Sequence, residues 1–165
     1  MARRAINPEA LRQLTAAFRQ LGADDPESWA RSQLGEGIPQ LAIFCFTKAL
    51  WEGVASEDDS AWIEQEIAWA KTRPEAPCAQ IGPALEEMIA KGVTPQAIVD
   101  LVRVKQYELL FHVCSLLDGS IAVDLPINNW TIHQVDDEGN TLATIQGLHE
   151  VLLNMDPTGR EMRPR

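Results

Sequence analysis

Residues 102 to 119, VRVKQYELLFHVCSLLDG, carry apolar side chains around almost the whole circumference of a helix. A helix that is apolar on so many sides belongs among other helices, which makes the chain a multi-helix protein before any other element is read. Thr94-Pro95 supplies a cap and a proline for its start, and Asp118-Gly119 supplies its stop, so it is also the longest helix expected. The line Lys105, Glu108, His112 runs through it at steps of three and four, which places the three titratable groups on one side. Asp100, Arg103 and Tyr107 form a second polar line at the same spacing.

The other helices are punctuated by the same grammar. Asn7-Pro8 opens one that Gly22 stops, with Leu11, Leu14, Phe18 and Leu21 on its inner face. Asp25-Pro26 opens a short second helix that ends near Gly35 or Gly37. Pro39 opens PQLAIFCFTKALWEGV, apolar over most of its surface and so central. Ser56 is expected to begin a fourth, with Glu57, Asp58 and Asp59 in its first turn at the positive end of the helix dipole. Pro74 and Pro77 end that helix in a loop, and a fifth runs from about Pro83 to Lys91 before Gly92.

After Gly119 the pattern changes. Residues 120 to 129 read as irregular or extended, WTIHQV as a strand, DDEGN as a turn, TLATI as a returning strand and GLHEVLLNM as a short helix. The predicted fold is mainly α: a compact multi-helix domain around a long central helix, with a small C-terminal β-hairpin and short helix packed on it, because an isolated hairpin is marginal. One domain of residues 1 to 165 is expected, with a helical body over 7 to 119, the hairpin and short helix over 120 to 156, and a polar tail over 157 to 165 whose only apolar anchor is Met162.

Charge narrows the partners. Residues 5 to 159 hold nine Lys/Arg against 23 Asp/Glu, a net of −14, while five arginines sit in the two tails. That field repels nucleic acid and anionic lipid and attracts basic proteins. The longest apolar run, Leu41 to Phe46, is too short for a bilayer, and the two arginines near the N-terminus have no apolar stretch behind them, so neither membrane insertion nor secretion is expected. Cys45, Cys78 and Cys114 have no paired spacing, which fits a reduced, cytoplasmic protein.

Catalytic candidates come down to the line on the long helix. Glu108 beside His112 would make an acid–base pair if both lay in a cleft with Lys105 and a tryptophan. On an open face the same three residues are solvent-edge ion pairs. As metal ligands Glu108 and His112 are two of the three or four that zinc requires, and His133, His149 or Glu150 would have to complete them from the C-terminal unit, so no metal is expected. No phosphate loop, nucleophile elbow, metalloprotease or calcium-loop motif is present, and no cofactor is implied. Trp29 and Trp130, near turns, are candidate anchors at a binding surface, and Asp58 and Asp59 are its candidate acidic contacts. The resulting expectation is an acidic cytoplasmic protein-binding module, of inhibitor or immunity type, for a basic partner. The alternative is a small helical enzyme or ligand-binding domain with a cleft around Lys105, Glu108 and His112. The apolar helices also leave room for a homo-oligomer.

Overall fold

The computed structural model describes residues 6 to 121 and 130 to 164. Over these the protein is mainly α, with helices α1 (Pro8–Gln20), α2 (Pro26–Glu36), α3 (Gln40–Trp51), α4 (Ala61–Thr72), α5 (Ile81–Ala90), α6 (Pro95–Leu117) and α7 (Leu148–Leu152). Strands β1 (Ile132–Val135) and β2 (Thr141–Ile145) form an antiparallel hairpin between α6 and α7. The segment expected to be irregular, 120 to 129, lies mostly outside the described residues. The chain divides into two compact units, one made of residues 1 to 51 with 111 to 165 and the other of residues 52 to 110.

In the first unit, α1 starts where its cap dictates. The Asn7 side chain accepts from the backbone N–H of Glu9 and Ala10, and Pro8 occupies the first helical position, where no N–H is needed. Gly22 adopts φ +84 and stops it. α2 is capped by Asp25 and ended by the left-handed Gly37. The faces that α1, α2 and α3 bury meet in a cluster of Phe18, Ala30 and Phe44, with Leu11, Leu14, Leu21, Trp29, Leu41 and Met155 around it. At the far end of α3 the buried Trp51 donates its indole N–H to the carbonyl of Leu152 at 2.9 Å, which ties α3 to the end of α7.

The hairpin pairs Ile132 with Ile145 and His133 with Thr144, and a bulge falls between Gln134 and Val135. Its turn is organised by Asp136, which accepts from the backbone N–H of Glu138 and Asn140 and from the Asn140 amide. These bonds hold the Asp136 carboxyl below its ordinary range, the Asn140 side chain most of all. Most of the hairpin is exposed, and it is anchored at one end by the buried Ile145, followed by the fully buried Leu148.

The C-terminal tail is more ordered than a polar extension. Asp156 is only 5 % exposed, and its carboxylate accepts from the Thr158 hydroxyl and from the backbone N–H of Thr158 and Met162. Asp156 therefore helps to fold the tail by satisfying two of its backbone donors, beside the half-buried Met162.

The second unit is built from α4, α5 and the first four turns of α6. Its core is Ile63, Leu85, Ile98 and Val99, with Trp62, Ile67, Ile81, Met88, Val93 and Val102 packed against them. α4 begins at Ala61, not Ser56, because the polar residues before it form a turn of their own: Ser56 O accepts from Asp59 N, and the Asp59 carboxylate accepts from Ala61 N. Asp58 and Asp59 thus precede the helix instead of lying in its first turn. α5 begins at Ile81, two residues before Pro83, since proline costs nothing in a first turn. Of the second polar line of α6, Asp100 is exposed and Tyr107 half-buried, while Arg103 is turned inward. Arg103 is 7 % exposed and donates to the Ala55 carbonyl at 2.6 Å, while Gln106 accepts from the Ala55 N–H at 2.8 Å. Two side chains one turn apart thereby hold both polar groups of one loop residue.

Candidate functional site

The Lys105, Glu108, His112 line stands on the open side of α6. Lys105 Nζ meets Glu108 at 2.7 Å with the two side chains 68 % and 55 % exposed, and His112 is exposed as well. An ion pair so solvated contributes a few tenths of a kcal/mol at most. Leu101, Val104 and Leu109 flank the line at 51, 41 and 62 % exposure, so α6 covers one side with Ile98, Val99 and Arg103 and leaves apolar surface uncovered on the other. That differs from a helix packed all round. Its apolar residues are spread over so wide an arc that a single layer of neighbours covers only part of them.

The other candidates are dispersed. Trp29 is part of the aromatic cluster, stacked on Phe18 at 5.9 Å and edge-on to Phe44 at 5.5 Å. Trp130 is 41 % exposed just before β1. Asp58 and Asp59 are exposed in the turn before α4. The first unit thus holds Trp29, Trp130 and His112, and the second holds Lys105, Glu108, Asp58 and Asp59. Among the described residues no group of three His, Cys, Asp or Glu is placed to hold a metal ion, and no helix is long and apolar enough to cross a membrane.

One constellation in the first unit has no signature in the sequence. Asp118 follows the last turn of α6, and its carboxylate side chain is 3 % exposed. Oδ2 accepts from two donors of His149, the backbone N–H at 2.9 Å and ring Nδ1 at 2.6 Å. Ring Nε2 of His149 lies 3.4 Å from the hydroxyl of Ser120. The Phe111 ring stands edge-on to the imidazole, 6.0 Å between centroids and 79° between planes. Gly119 at φ +67 turns the chain between Asp118 and Ser120, and the bond from Ser120 N to Ser115 O at 2.8 Å fixes the turn. Each half reads in the sequence only as punctuation, a helix stop at DGS and a helix start at GLH. Nothing in their spacing announces that 31 residues later a histidine returns to the aspartate.

Cys114, one turn before Asp118, is fully buried, and burial, with the nearby Asp118 charge second, pushes its thiol up from 9.0 to about 11. Cys45 and Cys78 are exposed. A chromogenic disulfide reagent at mildly alkaline pH is therefore expected to titrate two thiols rapidly and the third only after denaturant is added. Three rapid thiols would contradict the packing around Cys114. Because the folded state binds the thiol proton more tightly than the unfolded chain, this residue also costs stability as pH rises from about 9 towards about 11.

The chain matches no protein-family model, no curated protein and no solved structure.

Proposed function

We propose that this protein is an acidic binding module that docks a basic protein partner, in the manner of an inhibitor or immunity protein. The observation that carries the reading is the uncovered apolar surface of α6 in the second unit. Leu101, Val104 and Leu109 stand 41 to 62 % exposed in a unit where 11 Asp/Glu face five Lys/Arg, a net of −6. Apolar anchors inside a charged surround are the anatomy of a specific interface: the anchors supply affinity, and the surround supplies association rate and choice of partner. The sign of the charge also favours a basic partner over a second copy of this chain, since two such units repel. Asp58 and Asp59, exposed in the same unit, add to the acidic field.

The test is capture on the immobilised full chain from lysate of its own source cell, at low and high salt, beside a Leu109→Asp variant. A basic protein should be retained at low salt, released at high salt, and bound at least about tenfold more weakly by the variant. Retention indifferent to salt would remove the electrostatic part of the proposal. Retention unchanged in Leu109→Asp would remove α6 as the surface.

A further inference from the structure

We propose that Ser120, His149 and Asp118 form an acyl-transfer site, with Ser120 the nucleophile, His149 its general base and Asp118 the positioning residue. It is independent of the docking reading. The buried carboxylate of Asp118 fixes the tautomer of the ring. An ionised carboxylate only accepts hydrogen bonds, so the 2.6 Å contact to Nδ1 places the imidazole proton on that nitrogen. The neutral ring then has its lone pair on Nε2, the nitrogen that faces the Ser120 hydroxyl at 3.4 Å. Ser120 therefore donates to a base that is already in the tautomer able to take its proton. A contact of this length is loose, as such contacts are before a substrate closes them.

Two further features separate the constellation from a structural tie. A capping carboxylate needs only the backbone N–H of His149, which Oδ2 already accepts, yet the same oxygen also orients the ring. The other oxygen, Oδ1, is buried without a hydrogen-bond partner among the described residues. A buried anion left with unused acceptor capacity gains when the neighbouring imidazole becomes cationic, which is the charge change that proton abstraction produces. Ser120 is exposed, so an acyl carbonyl can reach it. The net charge of −10 selects a neutral or cationic acyl donor over an anionic one, and a short neutral ester is the class expected.

The chemistry balances without a co-reactant other than water. Ser120 Oγ bonds to the ester carbonyl carbon as its proton passes to His149 Nε2. The carbon–oxygen bond to the leaving group breaks, and the departing alkoxide takes that proton. Water then attacks the acyl-serine by the same route, releasing the acid and restoring the hydroxyl.

The probe is an alkyl fluorophosphonate, which bonds to an activated serine through phosphorus and releases fluoride. The full chain is expected to carry one adduct, mapped to Ser120 by peptide mass spectrometry and absent in Ser120→Ala. In His149→Ala the labelling rate should fall about a hundredfold or more, with partial recovery on adding imidazole. Asp118→Ala supplies the readout that a purely structural role would not move: the ring ¹⁵N shifts of His149 should report the proton on Nδ1 in the wild type and a mixture of the two tautomers in the variant, with labelling falling in step. Absence of a Ser120 adduct, or a labelling rate unchanged in His149→Ala, would overturn the proposal.

Discussion

Replacing Phe18 by alanine is expected to destabilise the protein by about 3–5 kcal/mol, the usual range for deleting a buried aromatic ring. Phe18 is 0 % exposed and touches two other rings, Trp29 in a near-parallel stack at 5.9 Å and Phe44 edge-on at 5.6 Å. Trp29 and Phe44 are themselves edge-on to one another, so the three rings form a closed set contributed by α1, α2 and α3. Removing one member leaves a cavity on both remaining rings, and neither can swing into it without losing its contact to the other. A typical domain is stable by only about 5–15 kcal/mol, so the variant should lose a third or more of its margin. Urea unfolding would show a lower midpoint at unchanged slope, and the near-ultraviolet circular dichroism of the aromatic cluster would weaken. Phe18→Leu, which keeps most of the volume, should lose much less. A cost below about 1 kcal/mol for the alanine variant would mean that this cluster is not the core of its unit.

Phe18 was legible in the sequence because everything that places it is local. The Leu11, Leu14, Phe18, Leu21 spacing and the Asn7-Pro8 and Gly22 boundaries all lie within one helix. The same holds for most helix ends. It fails at α4, where Asp59 turns the chain by its own side chain and delays the helix to Ala61, a choice between two local hydrogen-bonding schemes that composition does not decide. The inward turn of Arg103 was hidden for another reason. A charged residue at a polar spacing reads as solvent-facing, and the Ala55 carbonyl, 48 residues earlier, helps to make its burial tolerable. The line of Lys105, Glu108 and His112 was visible because it lies on one helix, whereas Asp118, Ser120 and His149 meet only through the return of the chain after the hairpin. Proximity along a helix is readable by counting; proximity across a fold is not.

Gly82 leads to a prediction whose sign opposes the ordinary rule for helices. Alanine in place of a helical glycine usually stabilises, by up to about 1 kcal/mol, through lower backbone entropy in the unfolded chain. At Gly82, however, a Cβ would lie 2.4 Å from the Cβ of Ala70, with the backbone of α4 behind it. No real pair of carbon atoms tolerates that distance, so α4 and α5 must separate, and Gly82→Ala is expected to cost about 1–3 kcal/mol. Gly35, near the end of α2, is the contrasting site: a Cβ there would meet only the tip of Ile6 at 3.7 Å, an ordinary contact. Gly35→Ala should therefore be neutral or stabilising by a few tenths of a kcal/mol. Thermal unfolding is expected to move clearly down for Gly82→Ala and to stay level or rise slightly for Gly35→Ala. Because the clash at Gly82 is with one atom, Ala70→Gly should relieve it. In a double-mutant cycle the Gly82→Ala, Ala70→Gly chain should be more stable than the sum of its single changes predicts, by about 1 kcal/mol or more. Additive single changes would mean that the helices do not meet at this pair. A favourable coupling would place α4 against α5 at Ala70 and Gly82, where neither helix carries a side chain larger than a methyl group.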